Sequence, residues 1–347
     1  MKVTDFLERH DQLYFWALVI RFGRNKNFRS KVNMINKDPR QVVIEKRGSL
    51  YRGRLMYELD PVMPNAGFFA VFRRLLSGLY YADEIGATPF ISYSNLFLYA
   101  ENDTINGTNE PFEYYFKSIN KITKEEVNRA NAVIQFEPKH IRLAESLNGA
   151  RQLLYTVRDE YLDAMATVVK KYIHLNRVMD EYINNGITEL GLTGNTVAVH
   201  CRGTDYNVGS KEHPIIVTPE DYFTILDEWV AAGRFNHIFL ATDDQNCLDK
   251  FIAHYGNRLS YYKDVERAKG SEGVHFSQSK RSNHKYRLGA EVVRDAYTMA
   301  YCSGLLAGMS EVSICTRIIK RAQNTLYKEE LILDKGIVLR GRTFQHK

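Results

Sequence analysis

No stretch of this chain approaches the ~20 consecutive apolar residues of a membrane span. Its four cysteines, Cys201, Cys247, Cys302 and Cys315, are scattered, with no Cys-x-x-Cys or His-x-x-x-His spacing. That argues against a disulfide framework and against zinc, and points to a reducing compartment. A Gly-x-x-x-x-Gly-Lys-Ser/Thr loop and a Gly-x-Ser-x-Gly elbow are both absent, which disfavours P-loop nucleotide hydrolysis and serine hydrolysis. There is no internal repeat or low-complexity tract. An excess of one charge is nearly lacking too: 47 Lys and Arg against 41 Asp and Glu give +6. Such a balance suits a phosphorylated ligand or an anionic membrane surface and requires neither. No nucleic-acid-reading motif accompanies it. Leu13 to Ile20 is apolar but follows Glu8, Arg9 and Asp11 without a small-residue cleavage site, so it does not read as a signal peptide. Core burial is its expected fate, with docking on a membrane as the alternative. These features place the protein in the cytoplasm, with peripheral contact at the inner face of the membrane left open.

What is present is an alternation of strands and helices. Thr196-Val-Ala-Val-His200-Cys-Arg202 reads as a short buried strand ending in His200 and Arg202, with Asp205 three residues on. In open α/β sheets ligands bind beyond the carboxyl ends of strands. An arginine there offers a planar, permanently charged fork for a phosphate or carboxylate, and Asp205 is spaced to orient it. A strand-end salt bridge without a ligand is the plain alternative. Thr218-Pro219-Glu220-Asp221 is a helix start, with a hydroxyl cap, proline in the first turn and acids after it. His237 to Ala241 is a second strand running into Thr242-Asp243-Asp244, and Gly304 to Gly308 a third, followed by Ser310-Glu311 opening a helix. Together they predict one Rossmann-like unit over roughly 190–325.

The order of these pieces resembles the GDP-fucose fucosyltransferases, the superfamily of the α1,6-fucosyltransferases, bacterial nodulation enzymes included, and the protein O-fucosyltransferases. Three elements carry the resemblance: His200-x-Arg202-x-x-Asp205, the strand ending Phe239-Leu-Ala-Thr-Asp243-Asp244, and the block from Glu291 through Asp295 to Met309-Ser310-Glu311-Val312-Ser313. The resemblance implies a GT-B type α/β fold, two Rossmann-like domains facing a cleft. The acceptor-side domain is expected over 1–190, the nucleotide-sugar domain over 191–325, and a C-terminal segment, 326–347, free to pack back on the first. It implies donor contacts at His200, Arg202 (β-phosphate), Asp243, Asp295 (nucleoside), Ser310, Glu311 and Val312 (diphosphate). Ser310 also has an independent basis, since a helix start is an anion site, although an ordinary cap explains it equally well. Asp295, inside a helix, has a solvated surface acid as its rival reading.

One departure is plain: the α1,6 enzymes carry two adjacent arginines where this chain has Arg202-Gly203. The linkage is therefore not inherited with the motif. By the same resemblance Glu212 is the first candidate for the base that takes the acceptor proton and His213 the second, in a loop where solvated charges are the common alternative. Asp243-Asp244 could bind a divalent ion, but adjacent residues point apart in extended chain and Asp244 begins a helix, so no metal and no cofactor are expected. The basic loop from Lys263 to Arg287 reads as a lid over the donor or a surface excursion. The first half holds a helix from Phe68 to Ile85, strands near Thr88–Tyr93 and Ala132–Phe136, and a long helix from Asp159 to Asn185. An aromatic, Asn-rich stretch over 94–118 fits a sugar groove or a core. The expected activity is inverting transfer of L-fucose from GDP-fucose to a glycan hydroxyl in bacterial surface or secreted glycan synthesis. The alternatives are another nucleotide sugar, or a non-catalytic nucleotide- or glycan-binding protein on the same scaffold. The partners are thus a nucleotide-sugar donor and a glycan acceptor.

Overall fold

Short strands pair into two parallel sheets, and Ile337–Leu339 with Arg342–Phe344 form a separate antiparallel pair. The computed structural model describes residues 6–7, 9–154, 156–192, 194–203, 214–268, 279–339 and 342–344. Helices α1 (Asp11–Phe22) and α2 (Lys26–Ile35) come first. Three short strands follow, β1 (Met56–Leu59), β2 (Thr88–Ile91) and β3 (Val133–Gln135), with helix α3 (Phe68–Glu84) between the first two. They pair in the order β2-β1-β3, all parallel, with Met56 opposite both Thr88 and Val133. Helices α4 (Asp159–Tyr172) and α5 (Arg177–Glu189) lead to the second sheet.

That sheet holds β4 (Thr196–Cys201), β5 (His237–Thr242), β6 (Leu259–Ser260), β7 (Gly304–Gly308) and β8 (Glu329–Leu333), parallel in the order β6-β5-β4-β7-β8. Helices α6 (Pro219–Ala231), α7 (Gln245–Tyr255), α8 (His284–Tyr301) and α9 (Glu311–Ala322) connect them. Numbered within the unit the order is 3-2-1-4-5, so the order of strand addition reverses between β4 and β7. A crevice for ligands opens at that point. Every residue of β4 is buried, as expected of a parallel strand covered on both faces. Val197, Val199 and Cys201 pack with Tyr222, Leu226 and Phe251 on one side, while Ala198 packs with Phe239 and Leu305 on the other.

The second of these cores does not stop at the half. It continues through Ile318 and Ile319 of α9 to Met165, Val168 and Val169 of α4 and to Phe72 and Leu76 of α3. Ion pairs of 2.6 Å from Arg321 of α9 to Asp159 and to Asp163 of α4 reinforce the junction. Two parallel α/β halves thus face one another, the GT-B arrangement expected from the sequence.

Several elements differ from their sequence reading. The fifth strand, β8, comes from the segment set apart at 326 and pairs Gly304 with Glu329. Beyond it Ile337 packs with Leu18, Phe22, Leu153 and Leu154. The single helix expected over 159–185 is two, because Ile173 turns extended and the Asn176 side chain accepts the Met179 N–H to start α5. The aromatics of 94–118 are core: Phe97, Phe112, Tyr114, Tyr115 and Phe116 are all buried. The apolar stretch of α1 is only half buried. Leu18 and Phe22 face inward, while Leu13, Trp16 and Ile20 stand in solvent at 47%, 59% and 85% exposure.

Candidate functional site

Both halves line one cleft of about 750 Å³. From the C-terminal half come His200 and Arg202 at the end of β4, Thr242 and Asp243 at the end of β5, Asp295 of α8, and Glu311 and Val312 in the first turn of α9. All but Asp295, which lies inside α8, sit where a parallel strand ends or a helix begins, so the topology brings them to one rim. The N-terminal half contributes the turn before α3, where Asn65 takes a left-handed conformation (φ 59°). It also contributes Gly67 and Phe68, and the cations Arg73, Arg74 and Arg142.

His200 is buried, and burial together with the Arg202 charge pushes its pKa down to about 3. It is therefore a neutral imidazole at physiological pH, with Nδ1 3.4 Å from the Ser310 hydroxyl. The backbone N–H of Gly203 donates to Asp243 Oδ1 at 3.2 Å, so Asp243 shapes the turn that carries Arg202. Asp244 caps α7 by accepting the Asn246 N–H at 2.8 Å. A side chain at 203 would bring its Cβ within 2.3 Å of an Asp244 carboxylate oxygen, which explains glycine where the α1,6 pattern has arginine. Cys201, one residue before Arg202, accepts a hydrogen bond from the Cys247 thiol at 2.7 Å. Cysteines scattered in sequence thus meet under the site. That bond, followed by burial, raises the Cys201 pKa and keeps it a thiol, not a nucleophile.

Asp295 lines the cleft, so the surface-acid reading fails. Desolvation pushes its pKa up to about 7, against the pull of Arg294 and Arg267. Arg294 itself is buried, lying 3.7 Å from the Tyr262 ring centre and 4.2 Å from that of Tyr182, and it pairs with Asp264 at 2.6 Å. Glu291, one turn before Asp295, is buried, ion-paired to Arg281, and accepts the Glu266 N–H at 3.2 Å.

Ser310 corrects one expectation. Its hydroxyl is buried and accepts the Ser313 N–H at 3.0 Å within its own capping box, and it does not line the cleft. The α9 start is presented to the cleft by Glu311 and Val312 instead. Glu311 is met across the cleft by Arg73 at 3.2 Å. Arg73 also donates to the Tyr161 hydroxyl and pairs with Glu145.

Of this N-terminal wall, sequence reasoning offers the glycine-bearing turn Asn65-Ala-Gly67-Phe68, which does line the cleft, and misses the cations. Their signal was a pair of arginines, Arg73-Arg74, inside a mostly apolar helix. Arg142 Nη1 is buried with no hydrogen-bond partner, and burial lowers its pKa. Asp205, Glu212 and His213 lie outside the described residues, as do 269–278 of the basic loop. Among the described residues no group of three His, Cys, Asp or Glu side chains could hold a metal ion, and no helix is long and apolar enough to cross a membrane.

No protein-family model and no curated protein matches the chain. Among solved structures it is similar to NodZ α-1,6-fucosyltransferase soaked with GDP-fucose, at 15% identity and TM-score 0.46, over 77% of this chain and 93% of that one. It is similar to fucosyltransferase NodZ from Bradyrhizobium, at 14% identity and TM-score 0.43, over 77% and 92%. The apo form of POFUT1 matches at 9% identity and TM-score 0.47, over 82% and 99%. Likenesses of this size leave the assignment to the residues themselves.

Proposed function

We propose that this protein is an inverting, metal-independent glycosyltransferase that moves L-fucose from GDP-fucose to a hydroxyl of a glycan acceptor, in the synthesis of a bacterial surface or secreted glycan. The observation that carries the reading is the meeting, at the reversal point of the five-stranded sheet, of Arg202 with the α9 start and Asp295 in one cleft. A nucleoside diphosphate has the matching sequence of groups. Arg202 and the positive end of α9 face the diphosphate and offset the charge that develops on it as the sugar bond breaks. Arg73 offsets the Glu311 carboxylate, which otherwise repels that charge. Asp295, once ionised, accepts N–H donors of the base, and guanine presents two side by side.

The sugar then lies toward the N-terminal wall, where the acceptor hydroxyl attacks its anomeric carbon from the face opposite the leaving diphosphate. The hydroxyl proton goes to a general base, with Glu212 the first candidate and His213 the second. His200, held neutral by burial, serves as packing and hydrogen-bonding support for the rim. Arg74 and Arg142 make the acceptor side cationic, which favours an acceptor carrying an anionic group. Saturation-transfer NMR against GDP-fucose, UDP-sugars and free GDP tests the donor. Contact with GDP-fucose and GDP, absent for UDP-sugars, is the expected result. Equal contact with UDP-sugars, or none with any, overturns the assignment.

A further inference from the structure

The chain's positive charge is not spread along it. Residues 1–40 hold nine Lys and Arg against four Asp and Glu, which is +5 of the net +6. Within this stretch, Asp11–Phe22 and Lys26–Ile35 form the helical unit α1–α2, fastened to the body by Leu18, Phe22 and Phe28 packing on Leu153, Leu154 and Ile337. Asp11 is consumed by an ion pair with Arg158, and the Asp38 carboxylate accepts the Arg40 N–H at 2.9 Å.

The outward face of α1 carries Leu13, Trp16 and Ile20 at i, i+3 and i+7, one stripe of the helix, all exposed. On the same unit and just beyond it Arg21, Arg24, Lys26, Arg29, Lys37 and Arg40 are exposed as well. An exposed apolar stripe with a tryptophan, on a segment rich in exposed cations, has the chemistry of a helix that lies in a lipid interface. The aliphatic side chains enter the acyl boundary, the indole sits at headgroup depth, and the cations meet anionic headgroups. The unit also borders the cleft, since Lys31, Met34 and Ile35 of α2 line it.

We infer that the exposed face of α1–α2 docks the protein on an anionic lipid bilayer, and so presents the cleft to a membrane-anchored acceptor. The docking stands on the surface itself, and only its second clause rests on the transferase reading. Nothing about a soluble glycan acceptor calls for this face, whereas an acceptor held on a lipid needs the enzyme at the same surface.

The chain has two tryptophans, Trp16 exposed and Trp229 buried, so fluorescence reports on the docking face. Full-length protein is mixed with phosphatidylcholine vesicles with and without phosphatidylglycerol, and followed by co-sedimentation and tryptophan emission. The expected result is co-sedimentation with a blue-shifted emission on anionic vesicles only. Trp229→Phe keeps the shift and Trp16→Phe loses it. The triple variants Leu13→Ser/Trp16→Ser/Ile20→Ser and Arg21→Glu/Arg24→Glu/Lys26→Glu each bind at least tenfold more weakly, with GDP binding by calorimetry unchanged as a check on folding. Absence of binding to anionic vesicles overturns the inference, and so does binding that neither triple variant weakens. A blue shift with RNA or heparin equal to that with vesicles would make the face a polyanion site. Concentration-dependent dimerisation that protects Trp16 would make it a self-interface. Failure of the wild type to bind GDP would sink the transferase reading while leaving the vesicle result standing.

Discussion

Arg202 is the residue on which the proposed chemistry turns. Replacing it by alanine should leave the melting temperature near wild type and lower kcat/KM with GDP-fucose ~10²-fold or more, about 3 kcal/mol at the transition state. Transfer assays checked against thermal melts decide this, and an unaltered kcat/KM would reduce Arg202 to a salt-bridge residue. Its neighbour is constrained for a different reason. Gly203→Ala places a methyl against Asp244, an overpacking of the kind that costs about 1–3 kcal/mol. The expected signature is a lower melting temperature together with weaker GDP binding, since the turn that aims Arg202 must shift.

Asp295 gives a pH-dependent readout. Its folded pKa is raised to about 7 by desolvation, so protonation of the empty site stabilises the fold at low pH. That contribution fades as pH climbs through 7. Binding runs the opposite way if the carboxylate accepts N–H groups of the base, because only the ionised form can do so. GDP-fucose, whose diphosphate has no ionisation in this range, should bind about tenfold tighter at pH 8 than at pH 6, with proton release on binding at pH 6. Asp295→Asn should flatten that profile; a wild-type profile already flat would remove Asp295 from the base pocket. For the proton taken from the acceptor, Glu212→Gln should keep donor affinity and lower kcat by ~10²–10⁴-fold, with His213→Asn costing less. A dead His213→Asn beside a normal Glu212→Gln would reverse the two roles.

At the scale of elements, the strand ends and helix starts of the C-terminal half were legible because their signals are local. Thr218-Pro219 and the acids after it announce α6, and the Asp221 carboxylate accepts the Thr218 N–H at 2.8 Å. Val197 to Cys201 announces β4 by its apolar run, and ligand placement follows from strand order. Ser310 shows the limit of such reading. A serine at a helix start was recognised, but whether its hydroxyl faces a ligand or its own helix depends on burial, and here it turns inward. The N-terminal wall was opaque for another reason: the Arg73–Glu311 contact joins residues 238 apart in sequence, and no local pattern announces such a meeting. Likewise α1 is the more apolar in sequence of α1 and the 94–118 stretch, yet the aromatics of 94–118 became core and α1 kept half its face in water. Periodicity tells which side of a helix is apolar, not whether a second layer exists to cover it. Asn176, which starts α5 after an unforeseen break, should be worth about 1 kcal/mol, and denaturant unfolding of Asn176→Ala measures it.

At the scale of the molecule, charge neutralisation by Arg202 and the α9 terminus predicts that activity survives excess EDTA within about a factor of two, since no divalent ion is then needed to hold the diphosphate. Loss of activity with rescue by Mn²⁺ would return Asp243 and Asp244 to the centre. A wider consequence follows from the core that runs unbroken from Phe239 and Leu305 through Ile318 to Met165 and Phe72. Enzymes built of two lobes often work as hinged jaws, open to admit substrate and shut to react. Here α9 is bolted to α4 by that core and by Arg321, so a swing of one lobe would have to tear apolar surface open to water. Small-angle scattering profiles with and without GDP should therefore superimpose. Selectivity then comes from a gap of fixed width, and an acceptor too bulky for it is excluded at entry, before any step of chemistry can discriminate against it.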